Sequence, residues 1–293
     1  MKAGFIGAGK LGFSLGKFFA DHGIHVTGYY SRSIESAGEA ARFTDSRCYD
    51  DLELLVNDSD ALFLTVPDEA IRSTYEKIKE YDIAGKQICH CSGALSAAET
   101  FPDAGERGAQ RYSIHPLFPV SDRLSGFREM PDAFFCLEGD DSPGLEEWET
   151  FLKGCTAGTR IIKGRDKPRY HGACAIASNL YCALADFGIR MLEGCGFRED
   201  EALRALSPLM RSNTEHIIRQ GPVKALTGPV ERGDADTVRK HLGSIISSED
   251  MKLYAAASKA VVRIAEAKNP DRDYSEIRAV LNAARLQERG ETR

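Results

Sequence analysis

Lys2-Ala3-Gly4-Phe5-Ile6-Gly7-Ala8-Gly9-Lys10-Leu11-Gly12 decides the fold. A short apolar run ends in a glycine turn, and a helical pattern follows at once. Leu11, Leu15, Phe18 and Phe19 recur at i, i+4, i+7 and i+8, which makes one apolar helix face. That helix is expected to stop at Asp21-His22-Gly23, with Gly23 just past its end. Strand, Gly7-x-Gly9-x-x-Gly12, helix is the dinucleotide-binding fingerprint in its required context. Gly7 allows the tight turn, Gly9 lets backbone N–H groups approach a diphosphate, and Gly12 lets helix and strand pack closely. Gly7, Ala8, Gly9, Lys10, Leu11 and Gly12 are therefore the expected cradle, with the helix N-terminus supplying partial positive charge.

A second strand, His25 to Tyr30, leads to Ser31-Arg32-Ser33. A carboxylate at this place would read a free ribose 2′-hydroxyl, whereas a 2′-phosphate needs cations and hydroxyls. No acid appears before Glu35. Arg32 can fork onto a phosphate, and Ser31 and Ser33 can add hydrogen bonds, so NADP is expected over NAD. The competing reading is that Ser33 caps a helix from Ile34 and Arg32 is solvated.

Strand and helix patterns then alternate. Strands are expected at Arg47–Tyr49, Ala61–Val66, Gln87–Cys91, Arg111–Ile114, Ala133–Leu137 and Thr159–Ile162, with helices between them. The fold class is an α/β Rossmann, doubly wound parallel sheet followed by an all-α helical domain. Ligands in such sheets sit beyond the carboxyl ends of the strands. That rule gathers the glycine turn, Ser31–Ser33, Thr65-Val66-Pro67, Ser92-Gly93 and His115 on one rim. The polar break Lys163–Pro168 sets the expected boundary: residues 1–164 bind NADP, and residues 165–293 form a helical substrate and dimerisation domain. Its helices are expected at 169–193, 199–219, 234–242, 248–267 and 274–285.

With 293 residues, 42% apolar and 28% charged, the chain has the composition of a two-domain globular protein. Net charge is −6 and no long basic block occurs, which argues against nucleic acid as a partner. Lys2 leads straight into a strand, so no leader is expected and the location is read as cytoplasmic. The longest uncharged helical run, Gly172–Ala185, is shorter than the roughly 20 residues a membrane span needs. It reads instead as a helix buried centrally or in a homodimer interface. The eight cysteines show no CxxC pair, and no metal site is expected.

Candidate chemistry lies in four places. His115 follows a strand on the cofactor rim and is the expected proton-transfer group, since histidine titrates near neutrality. On the helix from Tyr170, His171, Ser178 and Asn179 are the polar exceptions: either they line a cleft, or they are a satisfied buried histidine with two packing-tolerant polar residues. Ser92 joins the catalytic candidates through its place on the rim. Arg232, in the loop Thr227–Asp234, could anchor a substrate carboxylate or phosphate.

These motifs carry a resemblance. Gly4 to Gly12, Ser31-Arg32-Ser33 and Thr65-Val66-Pro67-Asp68 resemble the NADP domain of pyrroline-5-carboxylate reductase and deazaflavin-dependent NADP oxidoreductases. Ser113 to Leu117, Tyr170 to Asn179 and Leu226 to Asp234 resemble a family of NADP-binding oxidoreductases whose helical C-terminal half is a domain of unknown function. The resemblance implies a C-terminal domain like that of 6-phosphogluconate dehydrogenase, in a dimer. His115-Pro116 is similar to the His-Pro motif of prephenate dehydrogenases, whose histidine contacts the reacting hydroxyl. In 3-hydroxyisobutyrate and 6-phosphogluconate dehydrogenases a catalytic Lys is followed by Asn at i+4. Here Ala175 stands four after His171, and Lys167 lies ahead of Pro168, outside the expected helix. The resulting expectation is an NADP-dependent oxidoreductase acting on CH–OH or C=N groups of a small polar metabolite held between two domains. A non-catalytic NADP sensor is the alternative.

Overall fold

The computed structural model describes residues 1–283. It forms two compact units, Met1–Ala177 and the chain from Ser178 onward. Residues 165–177, expected to open the second domain, pack within the first unit.

The first unit holds β1 (Lys2–Ile6), α1 (Lys10–Asp21), β2 (His25–Tyr30), α2 (Ile34–Phe43), β3 (Arg47–Tyr49) and α3 (Leu52–Asp58). Next come β4 (Ala61–Leu64), α4 (Asp68–Ile78), β5 (Gln87–His90), α5 (Ala97–Thr100) and β6 (Gln110–Leu117). β7 (Phe134–Gly139), α6 (Pro143–Cys155), β8 (Gly158–Ile161) and α7 (Lys167–Ala177) complete it. The eight strands make one sheet in the order β3-β2-β1-β4-β5-β6-β7-β8. Chain order reverses beside β1, which opens the ligand crevice at the carboxyl ends of β1 and β4.

Period-2 alternation sends side chains to two cores. Phe5, Phe63 and Cys89 join α1, α2 and α6 on one face. Ile6, Leu64 and Ile88 join α3 and α4 on the other. β4 is buried along its whole length, as a central parallel strand should be. Trp148 closes the first core: it stacks on Phe19 at 5.3 Å, and its indole N–H donates to Gln87 Oε1 at 2.7 Å.

In two places the sheet departs from expectation. β6 and β7 pair antiparallel, so the sheet is not wholly parallel. β6 also runs on to Leu117, with His115 opposite Cys136 and Pro116 opposite Phe135. His115 therefore lies within a strand and not beyond one. Pairing with β7, a non-local partner, extends the strand past the point where Pro116 would end it.

The second unit contains α8 (Asn179–Glu193), α9 (Glu199–Ala225), α10 (Pro229–Arg232), α11 (Ala235–Ser244), α12 (Ser248–Lys268) and α13 (Ser275–Ala283). Its core gathers Val230, Val238, Leu242, Val262, Ala265, Ile277 and Leu281. Asp234 caps α11 as expected, accepting from the Thr237 N–H at 3.0 Å. α9 runs past the expected end at 219, although Gly221 (φ 80°, ψ 161°) leaves helical geometry inside it. The expected last helix reaches 285, of which the final residues lie outside the described ones.

The single helix expected over 169–193 is two, parted at Ser178 (φ −119°, ψ −73°). Nor is it buried: Ile176 is 64% and Leu180 56% exposed in this chain. Freedom from charge permits burial without causing it, because some other element must supply the cover. By length and composition alone the stretch Gly164–Glu193 could cross a membrane, contrary to the shorter run read from the sequence. That is weak evidence, since Lys167 within it is 1% exposed and hydrogen-bonded to the sheet.

Candidate active site

The cofactor turn is built by contact. Gly7 sits at φ +108°, and a Cβ there would come within 2.6 Å of the Thr65 carbonyl oxygen. Thr65 Oγ1 donates to the Gly7 carbonyl at 2.7 Å, which ties the turn to β4. A Cβ on Gly12 would meet that same Gly7 oxygen at 2.3 Å. At Gly9 the result is the reverse, with nothing within 4 Å of the Cβ position. Gly9 begins α1 without a side-chain cap, and no acidic residue occupies the first turn. The space at Gly9 is open and no side chain caps the first N–H groups of the helix, which fits an anionic diphosphate. Ala8 is buried behind the turn, Lys10 is exposed and Leu11 packs partly on the first core.

Hydrogen bonding from the Gly7 N–H to the Tyr30 carbonyl at 2.8 Å brings the end of β2 beside the turn. Ser31-Arg32-Ser33 leaves from there. Ser33 caps α2, accepting from the Ser36 N–H at 3.1 Å, so its capping role is real whatever else it holds. Arg32 is exposed. Val66 Cγ1 packs 3.1 Å from the Gly7 Cβ position, and Pro67 leads into α4. No carboxylate follows β2 directly in the chain, although Asp50 and Asp51 line a pocket together with Tyr30.

Farther along the rim, two imidazoles converge on Gly93. A Cβ at Gly93 would stand 2.7 Å from His171 Nδ1 and 2.9 Å from His115 Nε2. The other side of the His115 ring is fixed: Nδ1 lies 2.6 Å from the Tyr170 hydroxyl, and the two rings meet edge to face. Burial, followed by the charges of Lys167 and His171, pushes the His115 pKa down to about 3. The expectation that His115 titrates near neutrality therefore fails: it is a neutral imidazole at physiological pH.

Beneath this pair lies a buried polar layer. His90 and Ser113 are partners across β5 and β6, and both are fully buried. Lys167 Nζ donates to the Ser92 carbonyl at 2.7 Å and to Ser113 Oγ at 2.6 Å. Desolvation holds its pKa below the usual lysine value. Glu138, also buried, is pushed up by desolvation and accepts from the Ala97 N–H. His90 Nδ1 accepts from the Ser92 N–H at 3.1 Å, and burial pushes this histidine down to about 3 as well. Ser92, expected among the catalytic groups, has its hydroxyl engaged elsewhere. It donates to Asp68 Oδ2 at 2.6 Å and accepts from the Ala94 and Leu95 N–H groups. Its position shapes the turn that carries Gly93.

The first unit therefore brings together Ser92, His115 and His171. Asn179 and Arg232 belong to the second unit, where Ser178 Oγ donates to Asn179 Oδ1 at 3.1 Å and Arg232 ends α10. Sequence reasoning placed Gly93 on the rim but gave no site role to Lys167, Tyr170 or Ser113. The signal existed for all three: Lys167, Tyr170, His171 and Cys174 share one helix face, and Ser113 alternates with His115.

Comparison with known proteins divides the chain elsewhere, with one match ending at residue 92 and the other starting at 133, inside the first unit. Residues 2–92 match the family model described as NADP oxidoreductase, coenzyme F420-dependent. Residues 133–261 match a domain of unknown function, DUF2520. Among curated proteins none matches. Among solved structures, protein TM1727 of Thermotoga maritima is 28% identical, with a TM-score of 0.71, covering 91% of this chain and 99% of its own. Protein BF3122 of Bacteroides fragilis is 18% identical (TM-score 0.68; 89% and 98% covered). An imine reductase from Myxococcus stipitatus in complex with NADP+ is 16% identical (TM-score 0.59; 97% and 99% covered). At such identities the last two show a shared fold alone. The N-terminal part is thus similar to an NADP oxidoreductase domain and the C-terminal part to a domain of unknown function.

Proposed function

We propose that this protein is an NADP-dependent oxidoreductase that transfers a hydride to or from a small polar metabolite at the rim where His115 and His171 meet. The observation that carries the reading is their convergence on Gly93, on the same rim as an open glycine turn. Gly9 and the first N–H groups of α1 would hold the diphosphate, and Arg32 with Ser31 and Ser33 the 2′-phosphate. Val66 and Pro67 would flank the cofactor. NADP supplies the hydride; the protein supplies orientation, dryness and hydrogen bonds to the reacting group.

Gly93→Ala tests the site. The added methyl must displace His115, which Tyr170 holds, or His171. NADPH affinity is expected to stay within about twofold. Turnover in a panel of oxo acids, aldehydes and imines should fall by about a hundredfold, the usual penalty for an ångström of misplacement. Bound NADPH with no turnover in wild-type protein across that panel would instead favour a cofactor sensor. Arg32→Ala tests the 2′-phosphate: loss of a charge-assisted pair should weaken NADPH by about tenfold or more and leave NADH unchanged. Equal losses in fluorescence titration would remove that assignment.

A further inference from the structure

We propose that Lys167 is the positioning residue of this site: two hydrogen bonds from its amine fix Gly93, His115 and His171 relative to one another, and it transfers no proton itself. This deepens the oxidoreductase reading and rests on it.

Lys167 opens α7 and lies one helical turn before His171, so the two side chains share a face. Ser113 stands two residues before His115 on β6, where alternate side chains point the same way. Ser92 immediately precedes Gly93. Lys167 Nζ donates to the Ser92 carbonyl at 2.7 Å and to Ser113 Oγ at 2.6 Å. One amine therefore joins a near neighbour of each of the three residues that meet at Gly93. Tyr170, on the same helix, adds a second tie through its hydroxyl, 2.6 Å from His115 Nδ1.

The surroundings of Lys167 suit a tie and not a reacting group. Its side chain is 1% exposed, and both bonds end on oxygens of the protein. Burial lowers its pKa, while Glu138 and Cys136 of β7, Cys91 after β5 and Asp68 of α4 favour its charge. Two bonds need two N–H donors, which an amine supplies as well as an ammonium, so the tie holds in either state. The two carboxylates act on the same stretch of chain. Asp68 accepts from the Ser92 hydroxyl at 2.6 Å, and Glu138 accepts from the Ala97 N–H at 2.8 Å. Residues 92–97 are thus pinned from α4, β7 and α7, and the Lys167 side chain bonds to β6 as well. A network satisfied in this way holds its members in one arrangement.

Lys167→Met and Ser113→Ala test the tie. Methionine fills a similar volume without a donor. The Ser113 hydroxyl, 3.2 Å from the Ser92 carbonyl, still satisfies that oxygen in the variant. One Gly93 α-proton points where a Cβ would, close to both imidazoles. Proton NMR of the full wild-type chain, labelled at glycine and histidine, should therefore show NOEs from Gly93 to the rings of His115 and His171. In Lys167→Met these should weaken by about half or vanish, a result that needs no substrate. With the best substrate of the panel, kcat should fall by about a hundredfold while KM for NADPH stays within about twofold. Ser113→Ala removes one acceptor and carries the test if Lys167→Met does not fold. It should weaken the His115 NOE and lower kcat by about tenfold. Unchanged NOEs in the variants, or a lowered melting temperature with kcat intact, would overturn the proposal. No turnover in the wild type with NADPH bound would overturn the oxidoreductase reading, while the NOEs would still decide whether Lys167 sets this geometry.

Discussion

Gly9→Val should abolish tight NADPH binding while leaving the melting temperature unchanged, and Gly12→Ala should do damage of the opposite kind. Gly9 has an extended backbone (φ −75°, ψ −172°) that any residue adopts, and nothing lies within 4 Å of its Cβ position. A valine there strains nothing in the protein. It does occupy the space through which a diphosphate must approach the first N–H groups of α1. Losing two charge-assisted hydrogen bonds costs about 3 kcal/mol or more, which is roughly a hundredfold in affinity. At Gly12 the new Cβ would stand 2.3 Å from a backbone oxygen of Gly7 and 2.4 Å from Thr65 Oγ1. Backbone in a central sheet cannot swing away, so α1 must separate from β1 and β4. Such overpacking costs about 1–3 kcal/mol and more where the neighbour is rigid. Fluorescence titration with NADPH and a thermal melt of each variant separate the two. Unchanged NADPH affinity in Gly9→Val would show that no diphosphate comes to this turn.

That contrast explains why the first half of the molecule could be read in advance. Glycine spacing, the Leu11–Phe19 periodicity and the buried run Ala61–Leu64 are local patterns, and each is stated by neighbours in the chain. The site was less legible because its decisive contacts are non-local. His115 stands in a strand only because β7 returns antiparallel to pair with it. Lys167 was set aside because Pro168 follows it, yet proline at the second position of α7 blocks no hydrogen bond, since first-turn N–H groups have no partner within a helix. The neutrality of His115 could not be foreseen either, because it depends on burial and on a lysine distant in the chain that bonds to Ser113 of the same strand. Small uncharged residues over 172–185 suggested cover on all sides, but nothing in a helix's own sequence supplies the element that covers it.

Stability should fall steeply with acid in a window set by two histidines. His90 and His115 both have pKa values pushed down to about 3, against 6.5 for an unperturbed imidazole. The folded values are depressed, so above pH 6.5 their contribution is fully present. As pH drops below 6.5 the unfolded chain takes up protons that the folded one refuses. Stability is then lost until pH reaches the folded value near 3. Each histidine contributes a slope of at most about 1.4 kcal/mol per pH unit. Glu138 works against them: burial raises its folded pKa above 4.5, so the folded state takes its proton first and gains as acid is added. Two depressed histidines against one raised carboxyl leave a net loss of at least about 1 kcal/mol per unit only below about pH 5.5, where the unfolded histidines are mostly protonated. Carboxylates held low by partners, such as Asp103 beside Tyr75 and Lys79, add their losses only in stronger acid. Urea unfolding of the wild type between pH 7 and about 4.5 measures the slope. His90→Asn and His115→Gln, which do not titrate, should each remove about one proton from it. A flat profile across that range would mean that both rings accept protons in the folded protein, and with them a site able to shuttle protons near neutrality.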